Sequence, residues 1–222
     1  MLPAAAKETG EYSSSAEKPV SPLKAMFQPL RSRTLVIIML VSIIAAGGRG
    51  LGNVTTYVPL YLQNILHYKS NIISIFFTLL LLGSVLGPLL GGWLSDRVGR
   101  RTMLFVFYGG SAVTTWLFLA VAAPGMPAWL LPIALVLMGF AVYAESPLLQ
   151  AYLADSADPA MRDTAFGLYF ALAFGVGSVW SAVLGWEIDH FGFGAAFWTM
   201  AVSYLTAGAL LLLLPREKQQ PA

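Results

Sequence analysis

The chain has 222 residues, 57% of them hydrophobic and 11% charged, with a formal net charge of +2 and a mean hydropathy of +0.71. A soluble domain carries roughly 25% charged residues, so there is too little charge here to coat a water-facing surface, and lipid must be the outer solvent. Zero Cys excludes a disulfide framework and any thiolate metal site or nucleophile. The two His, His67 and His190, are too far apart for a metal-binding motif.

Residues 1–33 are polar, with Ser13, Ser14, Ser15, four prolines and charges of both signs. They lack the apolar core of a secretory signal and are expected to form a cytoplasmic, loosely ordered lead-in or linker. Its last part, from Pro22 to Arg31, has the composition of either a short interfacial segment or a plain linker. Beyond it, apolar windows between turn signals predict six membrane helices, at about 34–66, 71–94, 102–123, 128–154, 164–186 and 193–214. One crossing needs about 20 such residues. Arg49 and the glycines Gly47, Gly48 and Gly50 interrupt the first span. No formal charge occurs from Asn71 to Ser95 or from Thr102 to Tyr143, so the charged run between them is a turn at a membrane face. Pro124-Gly125-Met126-Pro127 forms a second turn. The first and fourth spans exceed the minimum length and must tilt, kink or emerge from the hydrocarbon. The domain therefore runs over 34–214, followed by a charged cytoplasmic tail at 215–222.

Lys and Arg set the direction. Lys24, Arg31, Arg33, Arg97, Arg100, Arg101, Arg162, Arg216 and Lys218 collect on one side, whereas the loops of the other side hold only Lys69. This alternation predicts a multi-pass protein of the plasma membrane with both termini cytoplasmic. Small residues recur at Gly83, Gly87 and Gly91 on the second span and at Gly175, Ser178 and Ala182 on the fifth. That spacing lets helix backbones approach closely within a bilayer.

Arg49 and Glu145 are the formally charged residues well inside predicted spans, each costing a few kcal/mol at a helix centre. At 1.5 Å per residue, Arg49 lies at ~22 Å depth and Glu145 at about 10–14 Å, so a direct ion pair is not assured. On the functional reading, Arg49, Asn53 and Tyr57 face a polar path from the first span and Glu145 faces it from the fourth. Tyr143 and Gln150 are lesser candidates. Arg49 would then supply a fixed charge for an anionic group or a partner for Glu145. Low dielectric disfavours a charged carboxylate, which makes Glu145 a candidate proton carrier. On the structural reading, Arg49 bonds carbonyls loosened by its glycines and Glu145 caps a break before Pro147. Both readings stand at this point.

The run Gly92-Trp93-Leu94-Ser95-Asp96-Arg97-Val98-Gly99-Arg100-Arg101, placed between two spans, resembles the loop signature of the major facilitator superfamily of transporters. Met161-Arg162-Asp163-Thr164-Ala165-Phe166-Gly167-Leu168-Tyr169, and the segment from Gly185 to Gly192 before a final helix ending at Pro215, are similar to later parts of the family's pattern. The resemblance implies an all-α membrane protein whose six transmembrane helices form half of a major-facilitator-type bundle. Two such halves make up a family member, each half built from inverted three-helix repeats. The polar lead-in and the charged end point to the carboxyl-terminal half, although a complete loop signature is commoner in the amino-terminal one. By the same resemblance the loop is a cytoplasmic latch. Asp96 would face a helix amino terminus, Gly99 would give the tight turn, and Arg97, Arg100, Arg101 and Arg162 would complete the gate. Asp155, Asp158 and Asp163 are the acids available to the loop arginines within the chain. The plain alternative is that these Arg only set topology at the headgroups.

The leading expectation is half of a secondary transporter that moves a small solute by alternating access, with a proton as the candidate coupling ion. It would need no cofactor, and its partners would be the lipid bilayer, the solute, and a complementary six-helix half or a second copy. The alternative is a non-transporting, truncated or split membrane module that needs a partner half. An enzyme is disfavoured because no Gly-x-Ser-x-Gly run or paired His is present, and no phosphate-binding loop appears. Nothing points to nucleic acid.

Overall fold

The computed structural model describes residues 26–123 and 125–214. Residues 1–25, holding most of the expected lead-in and Lys24, lie outside the described residues. So do Pro124 and the tail from Pro215 with Arg216 and Lys218. The described residues form helices α1 Arg33–Ala45, α2 Thr55–Asn64, α3 Ser70–Val98, α4 Arg100–Val121, α5 Leu130–Ser156, α6 Arg162–Gly175, α7 Gly177–Phe191 and α8 Phe193–Leu210, with short 3₁₀ and π turns between or beside them. Taken by span, these are six segments long and apolar enough to cross a bilayer: Arg33–Asn64, Ser70–Val98, Arg100–Val121, Leu130–Ser156, Pro159–Phe191 and Phe193–Leu213. They coincide with the six expected crossings. α1 and α2 share the first span and α6 and α7 the fifth; the other helices are one span each.

Local chemistry sets the ends. Ser32 caps the first span by accepting a hydrogen bond from the Leu35 amide at 3.5 Å. The second and third spans meet at Gly99, whose φ of +101° is open to glycine but strained for a residue with a Cβ. The fifth span is divided at Val176 between Gly175 and Gly177, but Val176 keeps helical dihedrals (φ −72°, ψ −34°) and its amide bonds Leu172 O, so the crossing runs through as one segment.

The second and fourth spans form the most extensive helix pair. A Cβ on Gly83 would run into the carbonyl of Val136, one on Gly87 into that of Phe140, and one on Gly139 into that of Leu80. Close backbone approach of this kind replaces the hydrophobic drive that two helices lack in lipid. The stripe on the fifth span behaves otherwise: Gly175, Ser178 and Ala182 are exposed, so the close packing anticipated there has no partner among the described residues. The first span is the interior one, with 67% of its apolar window buried, against 17% for the second and 22% for the fifth. Those two spans therefore present open apolar faces, with Leu82, Val85 and Leu89 on one and Phe174, Val179 and Trp186 on the other.

Candidate solute path and gating loop

The first span breaks where its glycines cluster. Arg49 is extended (φ −54°, ψ 133°), Gly52 is at φ 116°, and a π turn over Gly50–Val54 restarts the helix. A break inside a bilayer frees carbonyls that no water can satisfy. Here side chains supplement the backbone amides that still reach the carbonyls of this stretch. Arg49 donates Nη2 to the Ser42 carbonyl at 2.9 Å, and the Trp180 indole donates to Ile43 O at 2.8 Å. Asn53 Nδ2 donates to Ala46 O at 2.8 Å and to Gly47 O at 3.0 Å, and the Tyr204 hydroxyl donates to Gly48 O. Thr56 donates to Gly52 O at 2.6 Å. The break is thus a built feature held by the first, fifth and sixth spans. Its glycines were legible in the sequence; the donors Trp180 and Tyr204 were not, because nothing local links them to residues 43–48.

Arg49 also binds Ser42 Oγ at 2.9 Å and crosses to the fifth span with Nη1 on Ala173 O at 3.0 Å, while its ring-facing carbon lies 5.6 Å from the centre of Phe174. Its terminal nitrogens are engaged with protein oxygens, so it acts as a brace carrying a fixed charge rather than as a free bidentate clamp. Asn53 and Tyr57, expected on the path, turn toward the fifth span: Ser181 Oγ donates to Asn53 Oδ1, and Tyr57 donates to Ser181 O, both at 2.8 Å.

Two cavities flank the break. One of 280 Å³ is lined by Arg49, Tyr143, Ser146, Gln150 and Phe174, among others. The other, of 150 Å³, is lined by Arg49, Asn53, Phe174, Gly177 and Ser181, among others. Arg49 forms a wall of both, and the structure brings Tyr143 and Gln150 to the larger. Tyr143, Ser146 and Gln150 fall at i, i+3 and i+7 on one helical face. Glu145 is off that stripe and lines neither cavity. It is 1% exposed and lies among Tyr108, Tyr169, Tyr204 and Arg49, with Oε1 lacking a hydrogen-bond partner. It makes no ion pair with Arg49, so the partnership left open by the sequence is not formed. The fourth span is unbroken at Pro147, so Glu145 does not cap a break there either.

At the other site the loop arginines divide their work. Arg100 pairs with Asp96 at 3.3 Å and with Asp155 at 2.5 Å, tying the second, third and fourth spans. Of the three acids proposed for the loop, Asp155 is the partner; Asp158 instead accepts from the Ala160 amide at 2.9 Å. Arg101 donates to Leu211 O and Leu212 O at 3.4 and 3.3 Å, a cation on the carbonyl end of the last span. Arg97 stacks on Trp93, 3.9 Å from the ring centre. Gly92 O accepts from Ser95 Oγ at 2.7 Å. Arg162 is exposed at the start of α6, and Asp96, 66% exposed, engages Arg100 rather than a helix amino terminus.

The sequence profile of the Major Facilitator Superfamily matches residues 38–222. Among known proteins, the chain is similar to the cis,cis-muconate transport protein of Acinetobacter baylyi, at 25% identity over 90% of this chain and 47% of that protein. It is also similar to the alpha-ketoglutarate permease of Escherichia coli, at 27% identity over 95% of this chain and 48% of that protein. It therefore spans about half the length of these relatives. Among solved structures, that of the POT family transporter PepTSo superposes with a TM-score of 0.66 at 17% identity, over 85% of this chain and 40% of that one, which supports the fold. With six apolar spans, the signature loop and a family profile covering most of its length, this chain belongs to the Major Facilitator Superfamily of membrane transporters.

Proposed function

We propose that the chain is the carboxyl-terminal six-helix half of a secondary transporter in the plasma membrane, with both termini cytoplasmic. It would move a small solute by alternating access together with a complementary half or a second copy. The observation that carries this reading is the 280 Å³ cavity beside the broken first span, walled by Arg49, Tyr143 and Gln150. Discontinuous membrane helices whose unwound backbone borders a cavity are a recurrent way to build a transport site. The open faces of the second and fifth spans, and the exposed Gly175, Ser178 and Ala182 stripe, supply apolar surface for the second half. Asn53 and Tyr57 fix the wall, the pairing of Arg100 with Asp96 and Asp155 latches the loop, and Gly92, Gly99, Arg101 and Arg162 complete the gate. Glu145, buried with one oxygen unpartnered, is the proposed proton carrier.

The test is uptake into liposomes by the purified chain, alone and with a co-expressed complementary half, using muconate and alpha-ketoglutarate as first probes and recording oligomeric state. Uptake only by the paired or dimeric form supports the reading, and Glu145→Gln should abolish acceleration by a proton gradient while leaving exchange intact. Robust uptake by a six-helix monomer overturns it. Absence of uptake in every assembly favours the alternative, a non-transporting split or truncated module.

A further inference from the structure

Away from the path, a third cavity of 250 Å³ lies where the second and third spans diverge over the fourth. Its walls are Leu90 and Leu94 on the second span and Val106 and Gly110 on the third, with Leu137 and Phe140 as the floor. They are almost wholly apolar, and Leu90, Leu94, Val106 and Leu137 are exposed at the protein surface. Along the third span the cleft runs from Met103 to Thr114. At 1.5 Å per residue that is ~16 Å, close to the depth of one leaflet of a ~30 Å hydrocarbon core. Spread over that length, 250 Å³ leaves a mean cross-section of about 15 Å², far below that of a helix about 10–12 Å across with its side chains and of the order of a single extended hydrocarbon chain.

The membrane-surface end of the same wall carries a cation. Leu90, Leu94 and Arg97 follow at i, i+4 and i+7, so they share one helical face. Of the loop arginines, Arg100 is held by two carboxylates and Arg101 by two carbonyls, whereas Arg97 is exposed and has no ion-pair partner among the described residues. Its guanidinium carbon sits over the Trp93 ring, itself 54% exposed. An indole and a guanidinium at this level are suited to the headgroup layer, and a guanidinium matches a phosphodiester through paired donors.

We infer that this cleft is a binding site for one anionic phospholipid of the leaflet on the signature-loop side, with its phosphate on Arg97 beside Trp93 and one acyl chain lying between the second and third spans. The site is separate from the solute path and does not depend on the transport reading. It gives Arg97 a role distinct from the latch arginines, and it wedges the second and third spans apart above the loop they share.

The test uses the purified full chain in detergent. Phosphatidylglycerol and phosphatidylcholine of identical acyl chains are titrated, and bound lipid is counted by native mass spectrometry. One basic side chain near a membrane surface contributes about 1 kcal/mol toward an anionic lipid, so phosphatidylglycerol should bind about fivefold tighter and Arg97→Gln should erase that preference. Val106→Trp, at an exposed position of the wall, fills the cleft. Displacing two methylenes at about 0.8 kcal/mol each should weaken both lipids at least tenfold. Gly110→Leu is a second filler, because a Cβ there meets only the Ala141 Cβ at 3.7 Å. Inorganic phosphate should not displace the lipid. Overturning results are lipid binding unchanged by both fillers, a phosphatidylglycerol preference that survives Arg97→Gln, or displacement by inorganic phosphate alone.

Discussion

Alanine at Gly87 and alanine at Gly110 are the same substitution with opposite consequences. Either change adds one methyl group and removes the helix cost of glycine, worth roughly 0.5–1 kcal/mol. At Gly110 the new Cβ sits at 3.7 Å from the Ala141 Cβ, an ordinary contact, so Gly110→Ala should stabilise the chain by about 0.5–1 kcal/mol. At Gly87 the new Cβ would enter the carbonyl group of Phe140, which is backbone on a packed helix and cannot swing aside. The second and fourth spans must then separate, and overpacking of this kind costs typically 1–3 kcal/mol. Net of the propensity gain, Gly87→Ala should destabilise by up to about 2.5 kcal/mol, and because that gain is common to both variants the pair should differ by the overpacking cost, about 1–3 kcal/mol. Gly91→Ala falls between them, because its nearest atom is the end of the Phe107 ring at 2.8 Å, which can shift. Reversible unfolding in mixed detergent micelles measures all three. If Gly87→Ala and Gly110→Ala fall within about 0.5 kcal/mol of each other, backbone approach is not what holds these spans together.

The Arg49 brace should show non-additivity. Arg49→Leu strips the charge-assisted bonds to Ser42 and Ala173 and removes the cation nearest the buried Glu145, a loss of about 1.5–3 kcal/mol. Arg49→Leu with Glu145→Leu should recover part of it, and a double-variant loss equal to the sum of the singles would refute the coupling. Asp96→Asn and Asp155→Asn, both at exposed pairs, should change stability by less than about 1 kcal/mol. They should slow transport by the assembled protein without lowering solute affinity; a large affinity loss at unchanged cycling would contradict the latch. For topology, cysteines introduced at Val98 and Asp158 should react with an impermeant reagent from the inside and one at Lys69 from the outside. All three are exposed, whereas Ser95 is buried and makes a poor probe; the reverse labelling would overturn the orientation.

Hydrophobic length and the placement of Arg and Lys are local, one-dimensional quantities, and they were enough to place all six spans and the turns between them. The Gly83, Gly87 and Gly91 stripe and the glycine break at Arg49 were legible for the same reason: glycine acts through the backbone of its own segment. Direction around a helix was a different matter. Glu145 reads as part of a polar path, yet one residue along, Ser146 faces the cavity while Glu145 faces Tyr108, because a helix turns about 100° between neighbours. The identical logic separates Gly87 from the Gly175 stripe, which shares the small-residue spacing but is exposed and meets no helix among the described residues. Asn53 and Tyr57 were visible as polar residues on one face, but only the packed fifth span decided that both bond Ser181 and that Asn53 alone of the two also borders a cavity. Which donor reaches which freed carbonyl, and which acid reaches Arg100, are contacts between segments far apart in the chain. Sequence supplies the need for such partners, since an unsatisfied carbonyl in lipid is costly; only the assembled bundle supplies the partners.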